Sequence, residues 1–247
     1  MAVTNTEHSK VEVVKTFEKE NGQINKTEAI SVFNDSLVSK ASRCFIGIES
    51  AEFTLIPNAL FDEKNKEDYL KTIYTIDADK KVRAQKVIPI KATSVFSIKT
   101  GTETLLTSSL NKSTILHAPS ALLVAYQQLI PPNKRYISFV RLQENEMLLS
   151  IFDTKKLLLH TTFTIESFDD SLYYYLNALN QLGIDRNKMS ANLLGNHKDL
   201  EILLEKLLSN IESCKLINRL PTLQYDDAVF SQPTHHFFNL FSLMLCA

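Results

Sequence analysis

Six histidines, three cysteines and five glycines are the residues of this 247-residue chain on which binding or catalytic chemistry would have to rest. The histidines share no ligand spacing. His235 and His236 are adjacent, so on a helix their side chains diverge by about 100°, whereas a shared metal favours i, i+4 neighbours on one face. His197 stands near Asp199, His117 ends a predicted strand, and His160 lies within another. No metal site is expected. Cys44, Cys214 and Cys246 sit at neither metal-ligand nor redox-motif spacing. Their apolar settings mark reduced, inert thiols. No serine occupies a G-x-S-x-G elbow, so no catalytic residue is assigned. Asp169-Asp170 suits the start of a helix, and Asp226-Asp227 a loop patch.

Glycine is the most informative residue for nucleotide chemistry. Phosphate-cradling loops need close backbone approach, usually from clustered glycines. Gly22, Gly47, Gly101, Gly183 and Gly195 lie far apart, so Walker-type and Rossmann-type loops are absent as sequence patterns. The one cofactor-binding candidate is the turn at Gly195 and Asn196, with Asn196 as the expected helix N-cap. It is either a tight strand-to-helix turn or the remnant of a nucleotide-binding turn, whose helix N-terminus would attract an anion.

Composition limits the partners. Lys and Arg total 27 against 28 Asp and Glu, a net charge of −1. A nucleic-acid partner is not expected without a basic excess. The first ten residues are polar, unlike a signal peptide. No apolar run reaches membrane-spanning length, and Phe237 to Cys246 is too short. A cytoplasmic protein without membrane insertion is expected.

The elements that would position these residues follow from periodicity. Strands are predicted at Val11 to Phe17, Cys44 to Ile48, Phe53 to Ile56, Val87 to Ile90, Ser94 to Ile98 and Thr114 to His117. Helices are predicted at Thr27 to Leu37, Lys66 to Tyr74, Thr102 to Leu110 and Pro119 to Leu129. Asp77 to Arg83 reads as a solvated turn. Pro131-Pro132 cannot continue a helix and marks a boundary, dividing the chain into lobes at residues 1–131 and 132–247.

The second lobe is clearer. Arg135 to Leu142, Met147 to Phe152 and Leu157 to Ile165 form a predicted three-strand meander. Ser167 and Asp170 then make a capping box before a helix that Gly183 ends. A strand at Met189 to Leu194, a leucine-striped helix from Leu200 to Ile211 and a strand at Cys214 to Ile217 follow. Residues 218–233 read as an irregular linker before a terminal helix. Three consecutive tyrosines, Tyr173 to Tyr175, span most of a helix circumference, so at least one ring should reach solvent or a partner.

This β-β-β-α-β-α-β-α order predicts an α/β protein with a two-lobed actin-like (ribonuclease H-like) fold. Each lobe is expected to carry a mixed five-stranded sheet with helices. A Rossmann sheet would begin β-α-β instead.

Several segments resemble an uncharacterised Bacteroidota family of unknown function. They are Phe53 to Asp62 (FTLIPNALFD) with Tyr69-Leu70, Leu116-His117 with Ser120 to Leu123, Phe163 to Tyr175, Gln181 to Ile184, and His236 to Cys246. The resemblance spans roughly residues 50 to 247 and implies an actin-like ATPase fold without an established activity. The family begins with a β-hairpin before the strand at Val11, and that hairpin is expected to be missing here. In ATP-binding relatives of the fold it carries a phosphate loop. The turn at Gln143 to Glu146, its counterpart in the second lobe, lacks glycine. The expectation is a degenerate pseudo-ATPase without cofactor, acting as a protein-binding or assembly scaffold. The alternative is an ATP/Mg-dependent ATPase or switch using the cleft between lobes.

Overall fold

The structure, a computed structural model, describes residues 1–5, 10–15, 38, 41–109, 113–217, 219–230 and 233–246. The helix expected at Thr27 to Leu37 lies outside these residues. From the N-terminus, β1 (Ala2–Asn5) and β2 (Lys10–Val14) pair antiparallel. One strand among the described residues thus precedes the strand placed at Val11.

β3 (Cys44–Ile48), β4 (Phe53–Pro57), α1 (Lys66–Lys71), β5 (Lys80–Val87) and β6 (Ala92–Lys99) follow. Then come α2 (Thr100–Ser109), β7 (Ser113–His117) and α3 (Ala118–Leu129). The strand expected at Val87 to Ile90 lies earlier. Residues Ile88–Ile90 form a 3-10 turn ending at Lys91 with φ 53°. Lys80, Lys81 and Arg83, read as part of a turn, belong to β5. Their charge is compatible with a strand because each is paired: Lys80 with Glu52 at 2.6 Å, Lys81 and Arg83 with Glu103 at 3.1 and 2.6 Å.

The C-terminal part contains β8 (Tyr136–Gln143), β9 (Glu146–Asp153), β10 (Lys156–Thr164) and α4 (Phe168–Gln181). It continues with β11 (Met189–Gly195), α5 (Leu200–Leu208) and β12 (Ser213–Leu216). The capping box at Ser167 and Asp170 is formed, and Gly183 takes φ +64° past the helix end. The segment expected to be irregular holds β13 (Gln224–Tyr225) and α6 (Asp227–Phe230). β13 is ordered by a partner remote in sequence, pairing parallel with β2, which local periodicity could not reveal. α7 (Phe238–Leu243) follows, flanked by 3-10 turns.

The predicted meander-plus-crossover order gives one five-stranded mixed sheet, β10-β9-β8-β11-β12. β8 pairs antiparallel with β9 and parallel with β11. The matching five-stranded sheet expected in the N-terminal part is not formed among the described residues. There the strands divide into β1-β2-β13, the parallel pair β3-β7, and antiparallel β4-β6-β5. The division follows from β2: its neighbours are β1 and β13, so it adds nothing to β3.

Each sheet face follows from side-chain alternation. On β8, Val140 and Leu142 join a core under α4 and α5, while Ile137 and Phe139 face the opposite way. That second face meets α3 and α7. Tyr126 of α3 stacks on Phe139 with centroids 4.0 Å apart, a contact worth about 0.5–1.5 kcal/mol beyond burial. Both Phe238 and Phe241 of α7 are fully buried in the same core as Phe53 and Phe96. The N- and C-terminal parts of the chain therefore share one apolar interior.

Candidate functional site

The parallel strands bring their carboxyl ends together, which is where open α/β sheets take their ligands. Leu142 pairs with Gly195 at the end of β8 and β11, so the turn at Gln143 to Glu146 and the Gly195-Asn196 turn share one edge. Ile48 pairs with His117 at the end of β3 and β7. Glu49, the next residue after β3, reaches across to the C-terminal part.

Arg141 makes the crossing. It occupies the last buried position on the Ile137–Phe139 face of β8, and its side chain is 1% exposed. Nη1 donates to Glu49 Oε1 at 2.6 Å, and Nη2 donates to Glu146 Oε1 at 3.1 Å. Asn239 Nδ2, from α7, donates to the same Glu49 oxygen at 3.1 Å. The Arg141 Nε–H meets no protein acceptor. Burial raises the Glu146 carboxyl above its ordinary value, and the Arg141 charge opposes that shift.

His117 lies beside this bridge, fully buried. Its Nε2 is 3.1 Å from the Ser50 carbonyl oxygen. A carbonyl only accepts, so the proton sits on Nε2, and Nδ1 accepts from the hydroxyls of Ser120 at 2.7 Å and Ser94 at 3.2 Å. Phe96 stacks on the ring at 4.7 Å, and Phe53 tilts against it at 4.8 Å. Burial, reinforced by the Arg141 charge, pushes the pKa of His117 down to about 3. His160 also tilts against Phe53, at 5.2 Å, with Nδ1 2.8 Å from Ser150 Oγ. Burial first, then His117 and Arg141, hold it at about 3 as well.

The Ser120–His117 contact has hydrogen-bond geometry suited to a nucleophile and base. Its environment is not: both residues are fully buried, and an imidazole titrating near 3 is a poor base at neutral pH. The pair is a buried polar tie between α3, β6 and the chain leaving β3.

Gly195 has φ +114°, and a Cβ there would collide with the Leu142 carbonyl oxygen. Close approach of β11 to β8 therefore accounts for this glycine. Asn196 is exposed and does not cap α5, which begins at Leu200 with Asp199 as N-cap. His197 Nδ1 accepts from the Asp199 backbone N–H at 3.1 Å, and that local turn displaces the helix start.

The three tyrosines separate as their angular spread requires. Tyr175 is buried and bonded to Ser138, Tyr174 stacks on Phe163 at 4.7 Å, and Tyr173 is 63% exposed. Burial raises all three thiols, Cys214 to about 12 and Cys246 to about 11, so none is activated. Among the described residues no group of three or more His, Cys, Asp or Glu converges on a metal position. No helix among them is long and apolar enough to cross a membrane.

A sheet of this order, with its parallel carboxyl ends gathered at one edge, defines the chain as a protein of actin-like ATPase fold. Its sequence belongs to the family described as protein of unknown function (DUF3822), matched over residues 1–211. The structure is similar to that of a Bacteroides thetaiotaomicron protein with actin-like ATPase fold and unknown function. The TM-score is 0.74 and the identity 20%, covering 90% of this chain and 81% of the other. It is also similar to a chain of the PilM-PilN type IV pilus biogenesis complex, with TM-score 0.54, 12% identity, and coverage of 90% and 84%. Comparison with curated protein sequences gives no match.

Proposed function

We propose that this protein is a non-catalytic, cytoplasmic scaffold that binds another protein and keeps the actin-like fold without using a nucleotide. The observation that carries this reading is the Arg141–Glu49 bridge. At the edge where the fold's parallel strands end, the buried cation is already shared between Glu49 and Glu146. A triphosphate placed there would face two carboxylates and one committed guanidinium. The glycine-free turn at Gln143 to Glu146, with Glu144 at φ 39°, and the packing of Gly195 on Leu142 support the same reading. One similar structure comes from a complex of PilM with PilN, so a protein partner is compatible with this architecture.

The test is calorimetric titration with Mg-ATP and Mg-ADP, with thermal unfolding alongside. No binding and no shift at millimolar nucleotide are expected. A dissociation constant below about 100 μM would add about 1–2 kcal/mol of stability at millimolar ligand and overturn the proposal. The conclusion would then pass to a nucleotide-dependent switch, for which the shared edge of the Gln143–Glu146 turn and Gly195-Asn196 is the favourable feature.

A further inference from the structure

The five-stranded sheet ends at β10, and no strand among the described residues pairs with its outer side. β10 is nine residues long, KLLLHTTFT, with one charge, at its first position. Natural sheets blunt such edges with charge, proline or brevity. Three other edges here follow that rule: β12 has four residues, β5 carries Lys80, Lys81, Arg83 and Lys86, and β4 ends in Pro57. β10 has a bulge between Leu157 and Leu159, but from Leu159 to Thr164 its register is unbroken. Its residues from Leu157 to Phe163 are partly exposed.

The sequence of β10 is self-complementary when run antiparallel to itself. With a two-fold axis through Thr161, Thr161 faces Thr161, His160 faces Thr162, and Leu159 faces Phe163. Threonine pairs are among the favourable cross-strand combinations, and Leu159 against Phe163 joins two apolar side chains. The ends complement each other too. Lys155 and Lys156 precede the regular stretch, Glu166 follows it, and all three are exposed. The antiparallel arrangement brings each lysine pair toward Glu166 of the partner subunit. Tyr173 stands next to this edge: Phe163 stacks on Tyr174, which meets Tyr173 edge-on at 5.6 Å. The exposed ring would lie over the junction.

We infer that β10 is a docking edge for a second copy of this chain, joining two five-stranded sheets across a two-fold axis centred on Thr161. The inference concerns a surface other than the Arg141 edge and does not depend on what binds there. Rim lysine–glutamate contacts mainly fix register, and the strand ladder provides most of the attachment.

The experiment is sedimentation equilibrium of the full chain up to about 100 μM, a range that separates specific dimers from weak contacts. A monomer–dimer equilibrium is expected. Lys156→Glu and Glu166→Lys should each weaken it several-fold, and the double exchange should restore it. Thr161→Cys should yield a covalent dimer under mild oxidation, because Cα atoms facing each other across antiparallel strands lie about 4.5–5.5 Å apart. Ser209→Cys, exposed on the far end of α5, should not. Unchanged thermal unfolding of each variant confirms that the fold is intact. A monomer throughout the range would overturn the inference. So would a dimer that ignores both charge reversals and gives no Thr161→Cys crosslink, since it would use another face.

Discussion

Arg141 on β8 donates to Glu49, 92 residues earlier, across 2.6 Å, tying the end of β3 to the end of β8. The guanidinium is 1% exposed and Glu49 45%. The two partners are therefore unequal: losing Glu49 leaves a buried cation with only Glu146, whereas losing Arg141 leaves a carboxylate that water can reach. Glu49→Gln should destabilise the protein by about 1–3 kcal/mol. Urea unfolding measures this. Arg141→Met keeps most of the volume and removes the charge, so it should lose less than Glu49→Gln. The reverse order would show that the cation is not the demanding partner.

His117 and His160 remain neutral in the folded protein down to about pH 3, while the unfolded chain takes up protons below about 6.5. Unfolding therefore binds protons between these values, and stability falls with pH by at most about 1.4 kcal/mol per pH unit for each histidine. The urea midpoint should decline between about pH 7 and pH 5. His117→Gln should flatten that decline even if it lowers stability overall. Parallel pH profiles for the variant and the parent would contradict this.

Gly195→Ala places a methyl group against the Leu142 carbonyl at a φ unfavourable to L-residues. A loss of about 2 kcal/mol or more is expected, read as a lower melting temperature with or without nucleotide. An unshifted melt would mean that β11 can retreat from β8. This variant consequently tests packing and cannot test nucleotide binding.

Tyr126 is fully buried, and no protein group meets its hydroxyl. The ring does the packing, stacked between Phe139 at 4.0 Å and Phe238 at 6.3 Å. Tyr126→Phe keeps those contacts and should be neutral or stabilising by about 1 kcal/mol. A loss greater than that would reveal a hydrogen bond worth having.

The legible parts of the fold were those specified locally. Alternating residues from Tyr136 to Thr164 announce three strands, and Ser167, Asp170 and Gly183 bracket α4 with their own side chains and backbone. β13 was not legible because two residues cannot show a period, and its partner lies more than 200 positions away. β5 was hidden by its lysines, whose carboxylate partners come from other elements. At the site, the edge shared by the Gln143–Glu146 and Gly195-Asn196 turns followed from strand order. The bridge did not. One signal was present: Arg141 takes the next position after Ile137 and Phe139 on one apolar face of its strand, and a charge in such a place demands a partner. The sequence could not say that the partner would be Glu49.

Gly47 lies against Leu243 of α7 and Ala118 of α3, so that a Cβ there would press on the Leu243 side chain. The seat of β3 is thus finished by residues of α7 that lie far later in the sequence. During translation, β3 and β7 would emerge from the ribosome as an incomplete surface and wait for Phe238, Phe241 and Leu243. The packing of β3 against α7 therefore cannot close vectorially, as an early domain would before a later one appears.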